Sequence, residues 1–82
     1  MLIGKVIGNV WATRKDPKLS GLKLMVVEIK DSSSVKSIVA ADYIGAGIGD
    51  NVIVVSGSSA RHVFDNETPV DATIVGIIDS LE

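Results

Sequence analysis

Apolar and polar residues alternate along this chain in short runs, with the period of two that marks half-buried strands instead of the 3.6 of helices. From Leu2 to Ala12, the positions Leu2, Gly4, Val6, Gly8, Val10 and Ala12 fall on one side and Ile3, Lys5, Ile7, Asn9 and Trp11 on the other. The first side is small and apolar, as a strand that approaches another backbone closely requires. Ala12 to Lys23 breaks the alternation with charged residues, Asp16-Pro17 and Ser20-Gly21, and reads as a loop. Leu22 to Lys30 is a second strand, Asp31 to Ser34 turns the chain, and Lys36 to Ile44 is a third strand. Asn51 to Ser56 forms a compact fourth strand and Val70 to Asp79 a fifth.

Between the last two strands, Gly57 to Asp65 is the one plausible helix. Ser58 or Ser59 is its expected N-cap, with Ala60, Val63 and Phe64 spaced to face the core, and Thr68-Pro69 ends it. The pattern therefore predicts a mainly all-β fold: a small five-stranded OB-like β-barrel with one short helix between strands 4 and 5. The usual OB helix falls between the third and fourth strands, so the design is related but distinct. At 82 residues the chain is expected to form a single domain, residues 1–82.

Composition adds one thing to this picture. Hydrophobic residues make up 46% of the chain, and the load is carried by 12 valines and 10 isoleucines, with Trp11, Tyr43 and Phe64 the only aromatics. A domain of this size buries roughly 60% of its unfolded surface. That is more aliphatic side chain than one small core comfortably hides, which points to a subunit interface, with a tightly packed monomer as the alternative. Charge is segregated as well. Residues 1–30 carry Lys5, Arg14, Lys15, Lys18, Lys23 and Lys30 against Asp16 and Glu28, whereas the remainder carries Lys36 and Arg61 against eight carboxylates. Such polarity suits head-to-tail contacts between identical subunits.

Candidate chemistry is sparse. The stretch IGAGIGD, Ile44 to Asp50, places glycines at 45, 47 and 49, a density found in loops that cradle phosphate. A dinucleotide fingerprint, however, needs G-x-G-x-x-G leading into a helix, and a P-loop needs G-K-S/T. Here the spacing is G-x-G-x-G, a strand follows and no lysine follows Gly49 directly, so the glycines read as backbone devices and no cofactor is expected. His62 is the only histidine and there is no cysteine, which removes disulfides, thiolate metal sites and histidine clusters. Asp42, Asp50, Asp71 and Asp79 lack the spacing of a calcium loop. No catalytic constellation is present and the chain is not expected to be an enzyme. No apolar run reaches membrane-spanning length, and MLIGKVIGNV lacks the pattern of a signal peptide, so no membrane partner and a cytoplasmic location are expected. The runner-up function is an OB-like single-stranded nucleic-acid-binding module, with Arg14, Lys15 and Lys18 on phosphates. Against it stand an acidic total and only Trp11 nearby to stack a base.

Five stretches resemble one family. GKVIGNVWATRK (Gly4 to Lys15), LSGLKLMVV (Leu19 to Val27), AADYIGAGIGD (Ala40 to Asp50), GSSAR (Gly57 to Arg61) and PVDATIVGIID (Pro69 to Asp79) together are similar, in order, to the EutN/CcmL vertex proteins of bacterial microcompartment shells. The resemblance implies a β-barrel subunit of a homopentamer that occupies the five-fold vertices of a polyhedral shell, in contact with hexameric shell proteins and without catalysis. GSSAR leans toward the metabolosome branch of the family over the carboxysome branch. On this reading Gly45, Gly47, Gly49 and Asp50 form a loop at a subunit interface or near the five-fold axis. Arg14 and Lys15 are candidate shell contacts, and Ser58, Ser59 and Arg61 cap the short helix at a subunit boundary.

Overall fold

The computed structural model describes residues 1–12, 15–64 and 68–82. Five strands, β1 (Leu2–Asn9), β2 (Lys23–Asp31), β3 (Ser34–Asp42), β4 (Asn51–Ser56) and β5 (Ala72–Ile77), close into a barrel in the order β1-β2-β3-β5-β4. All neighbours are antiparallel except β3 and β5, which run parallel and meet only at Ala41–Thr73 and Asp42–Ile74. This is the predicted OB-like barrel, with its helical segment between β4 and β5.

Closure depends on β1, which pairs with β4 from Leu2 to Lys5 and with β2 from Lys5 to Asn9, bending at an irregularity between Val6 and Gly8. Gly4 sits where the sheet folds over. A Cβ there would stand 2.5 Å from Val27 Cγ1, 2.7 Å from Ile29 Cδ1 and 2.9 Å from the carbonyl oxygen of Glu28. The close backbone approach read from the alternation is therefore real, and only glycine permits it. Inside, Val6, Met25, Val27, Val52, Val54 and Ile74 form the centre of an aliphatic core without an aromatic ring. Ala46, from the connection between β3 and β4, is fully buried within the same cluster and plugs the barrel.

Strand ends differ from the sequence pattern for identifiable reasons. β1 stops at Asn9, not Ala12, although Val10 still donates to the Leu24 carbonyl. β3 runs Ser34–Asp42 instead of Lys36 to Ile44, because the Asp42 side chain captures the amides that follow and turns the chain away. β5 begins at Ala72 because Val70 and Asp71 belong to the connection, where Val70 N–H donates to Thr68 O and Gly57 N–H to Asp71 O. The predicted helix is a 3₁₀ helix, Ser58–Val63, with Ala60 its buried residue; Asp65 lies outside the described residues. Neither Ser58 nor Ser59 caps it. Gly57 holds the cap position at φ 82°, where no side chain is available, and the backbone bond from Ala60 N–H to Gly57 O closes the first turn.

Candidate functional site

The glycine stretch is the most constrained loop of the molecule. Asp42, at the end of β3, has a side chain only 1% exposed. Its Oδ1 accepts from the amides of Ile44 and Gly45, both at 3.0 Å, and its Oδ2 from Ala46 at 2.8 Å. Lys23, directly across the β2–β3 ladder, reaches over with Nζ 2.8 Å from the Ala46 carbonyl oxygen and 3.8 Å from Asp42 Oδ2. At the other end of the loop, Asp50 Oδ2 accepts from Gly47 N–H at 2.8 Å. Gly49 N–H then donates to Val6 O and Val6 N–H to Asp50 O, so the loop extends β4 alongside β1. Gly45 and Gly49 have φ of 101° and 97°, a region that side chains resist.

This wiring bears on the phosphate reading in physical terms. The amides of Ile44, Gly45, Ala46, Gly47 and Gly49 all donate to groups of the chain itself, and a buried carboxylate lies where an anion would need to bind. Asp42 equally faces donors and an ammonium, an environment opposite to that of a cation ligand. Among the described residues no three carboxylate or histidine side chains converge as a metal site. His62 is exposed on the 3₁₀ helix.

Gly47 departs from expectation. Its φ is not positive, and a Cβ on it would meet only Asp50 Oδ2 at 3.8 Å, so nothing within the subunit demands glycine there. Lys15 is exposed beside Trp11, which is 90% exposed at the rim of a hollow lined by Val10, Leu22 and Leu24; Arg14 lies outside the described residues. Arg61 is exposed and its Nε donates to Val70 O at 3.4 Å, while Ser59 Oγ makes a long 3.5 Å bond to Ser56 O. Both tie the 3₁₀ helix to its flanks. Thr73, fully buried, donates from Oγ1 to Ala60 O at 2.9 Å and fixes that helix on the barrel.

The loop clamp is the part that sequence reasoning missed. An aspartate followed within four residues by glycine-rich backbone is a recognisable Asx-type signal, which a view of Asp42 as one of four candidate cation ligands overlooks. Lys23 had a signal too. A hairpin turning at Asp31 to Ser34 pairs those two residues and, counted outward, pairs Lys23 with Asp42.

The curved surface outside the barrel carries large apolar groups, among them Ile3, Ile7, Val35, Val39, Ile48 and Ile77. None of the described helices is long and apolar enough to cross a membrane. Comparison with known proteins places this arrangement. The chain is 45% identical to the carboxysome shell vertex protein CcmL of Synechococcus elongatus, across 99% of this chain and 86% of that one. It is 42% identical to the bacterial microcompartment shell vertex protein PduN of Salmonella typhimurium, across 99% and 98%. The solved structure of the GrpN pentameric microcompartment shell protein from Rhodospirillum rubrum superposes with a TM-score of 0.84 at 44% identity, covering 100% of this chain and 98% of that one. A family model described as "Ethanolamine utilisation protein EutN/carboxysome" matches residues 1–79, and the chain belongs to this EutN/CcmL family.

Proposed function

We infer that this chain is a structural subunit that assembles into a homopentamer and occupies the five-fold vertices of a bacterial microcompartment shell. The observation that carries the reading is the set of isoleucines and valines left outside a barrel whose interior is already filled. Exposed apolar surface of this extent stabilises association far more readily than it serves a monomer. The relatives are named as shell vertex proteins, and GrpN, similar in structure, is a pentameric shell protein. The role is geometric. A flat sheet of hexameric tiles cannot close into a polyhedron unless five-fold positions supply curvature, and that task needs no reaction and no cofactor.

Within this reading the loop of Gly45, Gly47, Gly49 and Asp50 lies at a subunit boundary or near the five-fold axis. Its rigid backbone presents Ile44 and Ile48, 44% and 63% exposed. Lys15, with Arg14 beside it in sequence, contacts acidic groups of adjacent hexameric tiles, and Ser58, Ser59 and Arg61 border a neighbouring subunit. GSSAR supports a metabolosome shell over a carboxysome. Native mass spectrometry of the purified chain at micromolar concentration tests the assembly: a five-subunit species is expected, and a clean monomer refutes it. Titration with a single-stranded oligonucleotide tests the competing module. Binding that falls steeply with salt, by a chain that stays monomeric, would replace the vertex reading.

A further inference from the structure

Among the exposed apolar residues, two groups lie on the outer faces of strands on different sides of the barrel. The first is the outer face of β1, with Ile3 (53% exposed) and Ile7 (43%). The second is the outer face of β3, with Val35 (59%) and Val39 (49%). Two hollows flank Val39. They exist because β3 and β5 pair only at Ala41 and Asp42, so upstream of Ala41 the two strands diverge and leave an opening lined by Leu2, Ile38 and Ala72.

Strand order fixes the relation between these faces. In the closed circuit β1-β2-β3-β5-β4, β3 is separated from the β1–β4 seam by one strand on either side. The two faces therefore point away from each other. Two different patches on different sides of one molecule suit a head-to-tail contact, which builds a ring when its rotation closes, as the five-fold rotation of a pentamer does. The charges agree. Lys5 is exposed on β1 between Ile3 and Ile7, and Asp71 is exposed where it lines both hollows beside Val39. Packing the β1 face against its own kind would instead oppose Lys5 to Lys5 in a closed two-fold dimer.

We propose that the Ile3–Ile7 face of one subunit packs on the Val35–Val39 face of the next, with Lys5 opposite Asp71. The inference rests on the homopentamer reading and names the surfaces that build it. Because both faces are exposed in the subunit, charged substitutions there leave the barrel core untouched.

The test uses two full-length variants, Ile7→Glu and Val39→Glu, each checked for parental circular dichroism and then run in sedimentation velocity at tens of micromolar. Each alone should lose the ring and sediment as a monomer, since one of its two faces is spoiled. Mixed in equal amounts, they should form a heterodimer and nothing larger. The intact β1 face of the Val39→Glu chain finds the intact β3 face of the Ile7→Glu chain, and both remaining faces are dead. Homodimers of either variant alone would mean that a face meets its own kind, and would overturn the pairing. Parental rings from both variants would do the same while leaving the homopentamer intact, whereas a monomeric parent would remove the homopentamer reading first. Should a variant fail to fold, Lys5→Glu and Asp71→Lys give an independent measurement. Each alone should raise the concentration for half-assembly at least tenfold and the pair should restore it; failure of the pair to recover refutes the contact.

Discussion

Replacing Asp42 by asparagine should loosen the loop between β3 and β4 while leaving the barrel strands in place. The carboxylate is almost wholly buried and holds three amides, with Lys23 as a fourth partner. Asparagine keeps one oxygen for Ile44 and Gly45, but only as a neutral acceptor, and turns an NH₂ donor toward Ala46 N–H. A hydrogen bond to a charged group contributes about 1.5–3 kcal/mol and a stranded buried donor costs about 1–3 kcal/mol, so losing one and weakening two should destabilise by about 2–3 kcal/mol. Lys23 matters less. It is 51% exposed and 3.8 Å from the carboxylate, so its ion pair is worth at most about 1 kcal/mol. Lys23→Met removes this pair together with the 2.8 Å bond to the Ala46 carbonyl and should cost about 1–2 kcal/mol, so the comparison sets the amide clamp against both contacts of the lysine. Urea unfolding at one fixed protein concentration reads the stability, since assembly itself adds to it. Amide exchange reads the loop, and Ile44, Gly45 and Ala46 should exchange about 30- to 150-fold faster in Asp42→Asn. An asparagine variant within about 0.5 kcal/mol of the parent, with unchanged exchange at those amides, would refute the clamp.

Gly4→Ala should cost about 3 kcal/mol or prevent folding, because one of the overlapping atoms is the Glu28 carbonyl oxygen, which cannot rotate away; Gly8→Ala, nearest to Val26 at 4.0 Å, is the near-neutral control, and urea midpoints compare them. Gly45→Ala, at φ 101°, should lose about 1–2 kcal/mol of subunit stability, whereas Gly47→Ala should stay within about 0.5 kcal/mol. If Gly47 packs against a neighbour, its alanine variant dissociates at higher concentration by native mass spectrometry; unchanged assembly removes Gly47 from the interface. Thr73→Val deletes the bond to Ala60 O and should cost about 1–2 kcal/mol by the same unfolding assay, with proteolysis at the 3₁₀ helix accelerated.

The pattern of apolar positions revealed strands and their inward faces because a half-buried strand writes its burial with a period of two. Gly4 and Val6 point inward as the alternation requires, and Ile3, Lys5 and Ile7 outward. What it did not reveal are contacts that cross from side chain to main chain. The early end of β3, the path of the glycine loop and the glycine cap of the 3₁₀ helix are each set by a hydrogen bond or a φ angle at one residue. The helix itself was legible as an interruption but not as to type, since only Ala60 is buried and a single inward residue carries no 3.6 period.

The same strand holds information of a second kind. Had β1 only to close a barrel in water, its outward positions would be polar, and Lys5 and Asn9 are. Ile3 and Ile7 are not, and neither is Val39 on the opposite strand. Alternation specifies which side of a strand faces the core, so apolar residues on the wrong side are no instruction about the fold of one subunit. They are surface chemistry, and on the homopentamer reading another copy covers it. That is why the surplus of aliphatic residues in the composition, with no room left in the filled interior, reads as assembly, and why charged substitutions at Ile7 and Val39 should abolish the ring while sparing the barrel.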